Sequence, residues 1–337
     1  MNRFEYTRAG TVQEAVQALA ADPAARFIAG GTNLVDLMKY NVERPGRIVD
    51  ITRLPLDEIV QHDGGLRLGA LVPNATVAYD PLVNERYPLL ASALLAGASP
   101  QLRNAATTGG NLLQRTRCYY FYDEGTPCNK REPGSGCPAM TGVNRIHAIL
   151  GASDTCIATH PSDMCVALAA LDATVQVEGP NGRRAIPFGE FHRLPGDEPQ
   201  RDTTLRHGEI VLSVDLPDED FSKHYTYLKL RDRLSYAFAL VSVAAALEMD
   251  GDTIRTARLA LGGVAHKPWR NAEAESRLQG KPATEQAFRE AADAILAEAK
   301  PYAHNAFKVE LARRAIVRGL SQAAAGTPQS QTDKRIA

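Results

Sequence analysis

No cysteine precedes Cys118 and none follows Cys165. A disulfide framework that staples a small extracellular chain throughout is therefore excluded, and five thiols clustered in one part of a large protein favour metal. An excess of charge is also missing: the formal net charge is −1, so no global field draws in nucleic acid or an anionic membrane. No run approaches the ~20 apolar residues needed to span a bilayer. The segment Met1-Asn2-Arg3-Phe4-Glu5-Tyr6 has neither an apolar h-region nor a twin-arginine pair, so no export signal is expected in this chain.

The remaining composition is ordinary and globular, with 44% hydrophobic and 23% charged residues. A length of 337 residues exceeds the usual single core, so two or three domains are expected. Thr11-Val12-Gln13-Glu14 fits a capping box, opening a helix over 12–20 with Val12, Ala15, Val16 and Leu19 on one face. A short strand over 26–29 then runs into Gly30-Gly31-Thr32-Asn33 and an amphipathic stretch over 34–40: strand, glycine turn, helix. Such a turn lets backbone N–H groups approach a pyrophosphate because no Cβ intervenes. It matches neither the three-glycine dinucleotide fingerprint nor a P-loop. A second pair, Gly109-Gly110, stands in similar company (Thr107, Thr108, Asn111), which suggests two backbone walls closing on one extended anionic ligand.

Strands are expected over 47–51, 66–70, 174–178, 184–186 and 209–216, with helices over 87–96 and 163–171, the latter capped by Ser162 or Asp163. From His224 the pattern changes to three alternating runs, 225–230, 239–248 and 253–261, then two amphipathic helices near 284–299 and 303–320. A boundary near 217–223 thus separates an α+β first part from a three-strand, two-helix C-terminal domain. The residues from 325 read as a flexible tail.

Four cysteines, Cys118, Cys128, Cys137 and Cys156, lie in a loop rich in Gly, Pro and aromatics with the spacing C-x9-C-x8-C-x18-C. Zinc ribbons and fingers present close Cys pairs, which this loop lacks. Long spacings suit an iron–sulfur cube, whose corners face different ways and are reached by separate loop segments. Tyr119, Tyr120, Phe121 and Tyr122 supply an apolar shell. The alternative is four free thiols in a surface insertion, a set open to oxidation. Cys165 differs: one turn into an apolar helix, it reads as a buried structural thiol.

On Ala29-Gly30-Gly31-Thr32-Asn33-Leu34, Thr107-Thr108-Gly109-Gly110-Asn111-Leu112, Ser162-Asp163 and Lys229, the chain resembles the FAD-binding medium subunits of the molybdenum hydroxylases, the xanthine dehydrogenase family, over nearly all of residues 3–322. The cysteine insertion resembles that of the periplasmic aldehyde oxidoreductases and, more distantly, of the 4-hydroxybenzoyl-CoA reductases, in which a loop holds a [4Fe-4S] cluster. The resemblance implies a two-part FAD-binding domain of the vanillyl-alcohol-oxidase/PCMH type over residues 1–221. Its subdomains would span about 1–58 and 59–221, with the [4Fe-4S] insertion at 114–160. A C-terminal flavoprotein domain would follow at 222–324 and a tail at 325–337. By the same resemblance, Arg26, Phe27, Ile28, Ala29, Gly30, Gly31, Thr32, Asn33 and Leu34 would wrap the FAD pyrophosphate and ribityl chain. Ala98, Thr107, Thr108, Gly110 and Asn111 would form the facing wall. Asp163 would accept from a cofactor hydroxyl (or serve only as a helix cap), Ile210 would pack on the isoalloxazine, and Lys229 would lie at its polar edge. His147 and His160 are read as outer groups of the cluster, since four cysteines complete a cube.

The resemblance further implies an electron-transfer subunit of an aldehyde-oxidising heterotrimer, with a molybdenum-cofactor large subunit and a [2Fe-2S] small subunit. The folded complex would reach the periplasm on the small subunit's signal if the resemblance to the periplasmic aldehyde oxidoreductases holds, and would otherwise stay in the cytoplasm. A free-standing flavin oxidase of the vanillyl-alcohol-oxidase fold, a medium subunit of a hydroxybenzoyl-CoA-reductase-like complex, and a scaffold subunit with a purely structural cluster are the competing expectations.

Overall fold

The computed structural model describes residues 1–333, and the part of the expected tail at 334–337 lies outside it. Its first sheet is parallel: β1 (Glu5–Arg8), β2 (Ala25–Ile28) and β3 (Arg47–Asp50) in the order β1-β3-β2. Parallel neighbours need crossovers, and the helices Val12–Ala21 and Leu34–Lys39 lie in these connections. The Glu14 amide donates to Thr11 Oγ1 at 3.1 Å, and the Glu14 carboxylate accepts from the Gly10 amide at 2.8 Å. The capping box therefore closes one residue earlier than the sequence pattern suggests. Ala15 and Val16 on this helix bury against Ala25, Val49 and Leu54, and against Ile210 and Leu212 from the next sheet, which fastens the small subdomain to the large one.

The second sheet joins β4 (Ile59–His62), β5 (Gly65–Gly69), β6 (Thr174–Gly179), β7 (Gly182–Pro187) and β8 (Ile210–Leu216) in the antiparallel order β4-β5-β8-β6-β7. Two helices, Pro88–Ala96 and Asp163–Ala170, are apolar on nearly every face. Such a helix belongs inside a core, and these two share one with Leu66 and Val175 of this sheet and with Tyr227, Ala244 and Ala260 of the third.

That third sheet corrects the three-strand expectation. β9 (Tyr225–Leu230), β10 (Val241–Asp250) and β11 (Thr253–Gly262) are joined by β12 (Trp269–Arg270), in the order β12-β11-β10-β9. Two residues are too few to display an alternating pattern, which is why the sequence does not announce the fourth strand. A short helix, Ala272–Ser276, also adds to the two expected ones. Helices Glu285–Leu296 and Phe307–Ala324 cover the outer face. The chain then folds back: the Gln329 amide donates to Thr226 Oγ1 at 2.9 Å and Gln331 Nε2 to the Tyr227 carbonyl at 3.0 Å. The described part of the expected tail thus lies along β9, where these polar groups find partners. No helix among the described residues is long and apolar enough to cross a membrane.

Lys308 is buried and spends its ammonium on carbonyls, donating to His147 O at 2.7 Å and to Gly263 O at 2.5 Å. Burial, then the nearby Arg145 charge, pushes its pKa down from an ordinary 10.5 to about 7. Between those values the unfolded chain binds the proton that the folded chain does not, so this group's contribution to stability rises with pH across that window. The expected result is an unfolding free energy, relative to Lys308→Met, that moves in favour of the parent as pH goes from about 7 towards 10. Urea titrations of both proteins across that range check it, and a flat difference would contradict it.

Candidate functional site

The chain leaves β2 through Ala29-Gly30-Gly31 and enters the helix Leu34–Lys39. Gly31 has φ +72°, the left-handed region that glycine adopts without strain. At Gly30 a Cβ would stand 1.7 Å from the carbonyl oxygen of Ala105, a backbone approach open only to glycine. That contact sets the first glycine turn directly against the residues leading into Thr107, so the two glycine pairs are neighbours. Among the described residues, the amides of Gly31, Thr32 and Asn33 have no hydrogen-bond partner within the chain. The Asn33 side chain accepts from the Arg115 amide at 3.0 Å, while its buried Nδ2 has no partner. Consecutive free amides around a left-handed residue form a concave anion site, so this turn fits the diphosphate of a dinucleotide.

Gly109-Gly110 is not the turn its sequence suggests. It lies in a five-residue helix, Thr108–Leu112, capped by Thr107, whose hydroxyl accepts from the Gly110 amide at 3.2 Å. Tertiary bonds hold this glycine-rich turn in place: the Thr108 amide donates to Val72 O at 2.9 Å and the Gly109 amide to Ala70 O at 2.8 Å. Gly109 packs on Ala70, whereas Gly110 is exposed, and a Cβ there would meet only Thr107 Oγ1. Gly110 thus presents an open backbone face, while Thr107 is buried beneath it as the cap. Two of the expected wall residues serve the scaffold instead. Thr108 is buried and donates its hydroxyl to Val72 O at 3.0 Å. The Asn111 amide donates to Asn74 Oδ1 at 2.6 Å, and its carbonyl accepts from Ser162 Oγ at 2.6 Å and Gln114 Nε2 at 2.7 Å. Buried Asn74, with an unpartnered Nδ2 at this wall, is a residue the sequence gave no reason to choose.

The other expected residues divide similarly. Arg26 turns back to donate to the carbonyls of Pro23 and Ala25. Phe27 and Ala29 pack on the core under the first sheet, and Ile28, Thr32 and Leu34 stay partly exposed around the turn. Ala98 is exposed with φ +52°, a left-handed bend just after Gly97. Ile210 is not presented to a cleft: it is 2% exposed and packed among Ala15, Val16 and Leu212. Alternation along a strand reveals burial and not which core does the burying.

Asp163 and Lys229 are brought together. Ser162 is the residue that caps the helix, accepting from the Cys165 amide at 3.0 Å, which leaves the Asp163 carboxylate to other partners. It accepts from Lys229 Nζ at 2.8 Å and from the Tyr227 hydroxyl at 2.7 Å, and Lys229 also donates to Ala96 O at 3.2 Å. The two side chains are 9% and 3% exposed. Removing one partner of such a pair strands a buried charge, so Asp163→Ala is expected to lower unfolding free energy by roughly 3–5 kcal/mol. Chemical denaturation measures this, and a cost below about 1 kcal/mol would mean the pair is solvated like a surface pair.

The four loop cysteines converge on one small cavity, lined also by Tyr120, Phe121, Pro127 and Pro138. All are free thiols. Among the described residues, no three of these sulfurs lie within 4.8 Å of one another. A zinc ion with bonds of about 2.3 Å would hold them closer. Backbone amides point at the sulfurs: those of Tyr120 and Phe121 at Cys118, Ile157 and Ala139 at Cys137, Ala158 at Cys156. Burial nevertheless pushes Cys118 up to about 12, Cys156 up to about 11, and Cys137 upward. Without a cation among them, these groups stay protonated at neutral pH.

His147 lies against this cage, with Nε2 3.0 Å from Cys118 Sγ. His160 does not. It lies beside His192, ring centroids 4.3 Å apart and planes tilted by 59°, with a ring nitrogen within 4.8 Å of the Cys165 sulfur, whose burial is as expected.

Comparison with known proteins fits this geometry. The sequence profile for the FAD binding domain in molybdopterin dehydrogenase matches residues 2–219, and that for the CO dehydrogenase flavoprotein C-terminal domain matches residues 224–323. The aldehyde oxidoreductase FAD-binding subunit PaoB of Escherichia coli (strain K12) is 50% identical over 327 residues, covering 96% of this chain and 99% of that protein. The carbon monoxide dehydrogenase medium chain of Hydrogenophaga pseudoflava is 29% identical, covering 89% and 88%. Among solved structures, quinoline 2-oxidoreductase from Pseudomonas putida 86 superposes with a TM-score of 0.75 at 28% identity, over 97% of this chain and 98% of that one. Paired glycine segments, the two-part core and these matches together establish that the chain belongs to the FAD-binding subunits of the molybdenum hydroxylase family of oxidoreductases.

Proposed function

We propose that this chain is the FAD- and [4Fe-4S]-carrying electron-transfer subunit of a molybdenum-dependent aldehyde oxidoreductase. It would work in a heterotrimer with a large molybdenum-cofactor subunit and a small [2Fe-2S] subunit. The observation that carries the reading is the meeting of four cysteines at one cavity, in a chain half identical to an aldehyde oxidoreductase FAD-binding subunit along nearly its whole length. Bound FAD supplies the ability to take up electrons from one partner and pass them to an external acceptor.

The chain's own groups bind and orient. Amides of Gly31, Thr32 and Asn33 hold the diphosphate, and Gly110 keeps the facing wall clear. Lys229, fixed by Asp163 and the Ala96 carbonyl, supplies a cation whose position does not change as charge on the ring does. Around the cysteines, the buried Phe121 and the flanking Tyr120 and Tyr122 keep water from the sulfurs. No side chain is required as nucleophile or general acid. The assembled complex is placed in the periplasm, carried there by a signal on the small subunit.

Anaerobically purified chain should show flavin absorbance on a broad iron–sulfur shoulder, contain iron and acid-labile sulfide, and oxidise no aldehyde until the two partners are added. Flavin bands with no iron would refute the cluster. Aldehyde oxidation by the chain alone would favour a free-standing flavin oxidase, and cell fractionation with the complex confined to the cytoplasm would refute the location.

A further inference from the structure

The cysteine cavity has one charged side chain in its lining, Lys130. It is 2% exposed, and its ammonium donates to Pro199 O at 2.6 Å and to Asp202 Oδ1 at 2.5 Å. Asp202 also accepts from Arg115 Nε at 2.8 Å, and Arg115 Nη1 donates to Glu43 Oε1 at 2.6 Å. Two cations and two anions thus alternate through the interior from the cage to the first glycine turn, where the Arg115 amide meets Asn33. The series continues to Arg26, whose Nε lies 3.7 Å from Glu43 Oε2, and Lys130 is its member at the sulfurs.

We propose that Lys130 is a positioning residue that sets the reduction potential of the caged cluster, and that Asp202 holds it there and offsets part of its field. The inference rests on the iron–sulfur reading given above. A cube held by four thiolates carries net negative charge, and uptake of one electron makes it more negative by one unit. A fixed ammonium at the cavity wall stabilises the reduced form more than the oxidised one. In a buried setting that difference is not screened away, and net charge is among the levers that set cluster potentials. Asp202 acts in the opposite sense from further out. Burial works against its charge, but Lys130 and Arg115 hold its carboxyl well below the usual range, so it stays an anion beside the lysine.

The two residues therefore predict shifts of opposite sign, which loss of packing would not produce. The experiment is a dithionite titration of the full-length protein, followed by the electron paramagnetic resonance signal of the reduced cluster, with iron content measured in parallel. Lys130→Met should move the potential to lower values with iron retained, Lys130→Arg should stay near the parent, and Asp202→Asn, which still accepts hydrogen bonds, should move it to higher values. An unchanged potential in Lys130→Met, or shifts of the same sign in Lys130→Met and Asp202→Asn, would overturn the proposal while leaving the cluster in place. Should Lys130→Met lose its iron, Asp202→Asn decides: an upward shift supports the assignment, and no shift or a downward one overturns it. Parent protein without iron would instead overturn the underlying reading, and this one with it.

Discussion

Cys128→Ala is expected to strip the iron and leave the flavin bound. Replacing even an outer-shell partner of a metal ligand costs about 10–100-fold in affinity, and removing a thiolate costs more, so iron per chain should fall by more than about ten-fold. The loop around Cys128 does not depend on its sulfur. Its amide donates to Ser135 Oγ at 2.9 Å, its carbonyl accepts from the Arg131 amide at 2.9 Å, and Asn129 ties the loop to Gly136 and Thr155. The first glycine turn is likewise fixed by its own backbone, through the close approach of Gly30 to Ala105. Metal analysis and flavin released on denaturation give the two stoichiometries. Equal loss of both would show that the cage props the flavin wall, through the Arg115 amide on Asn33 and the Tyr122 hydroxyl, which donates to Asp36 at 3.0 Å.

Gly110→Val is expected to empty the flavin site of a protein that still folds. The position is exposed, and an added Cβ meets only the hydroxyl of Thr107, whose displacement costs no more than the weak cap it makes to the Gly110 amide. Valine is no worse a helix residue than glycine, so the effect on stability should stay within about 1 kcal/mol. The branched side chain would, however, stand on the face that confronts the first glycine turn. Flavin per chain should drop by more than about ten-fold, equivalent to a loss of at least about 1.4 kcal/mol in binding. Gly30→Val is the contrasting case. Its Cβ has nowhere to go but into a backbone carbonyl, so the two segments must separate and both flavin and stability should be lost. Full flavin in Gly110→Val, by absorbance and denaturant release, would remove this face from the site.

The pair of variants also shows what could be read in advance. The first glycine turn was legible because its cause is local: a strand ends, two glycines follow, and a helix begins. The helix opened by Thr11 and Glu14, the strand Tyr225–Leu230 and the four-cysteine loop were legible for the same reason, through caps, alternation and spacing. Gly109-Gly110 carries an equally plain turn signal and is nonetheless helical, because carbonyls at Ala70 and Val72, far away in sequence, hold its first amides. Asn111, chosen for its likeness to Asn33, is spent on Asn74, Ser162 and Gln114.

Asp163 and Lys229 were each singled out, but their ion pair joins residues 66 positions apart and could not be read from either neighbourhood. The same holds for Lys130 and Asp202, which attracted no notice as sequence. Ile210 packs among Ala15, Val16 and Leu212, a neighbourhood that joins two sheets and is not written in its own strand.

The sequence by itself determined the α+β class, the glycine segments, the thiol quartet and the family, all features written in short stretches by backbone freedom, capping and spacing. Tertiary structure alone decided which polar groups remain free for a ligand. A side chain's hydrogen bonds are claimed by whatever partner folding brings within 3 Å or so, and those partners lie tens to hundreds of residues away along the chain.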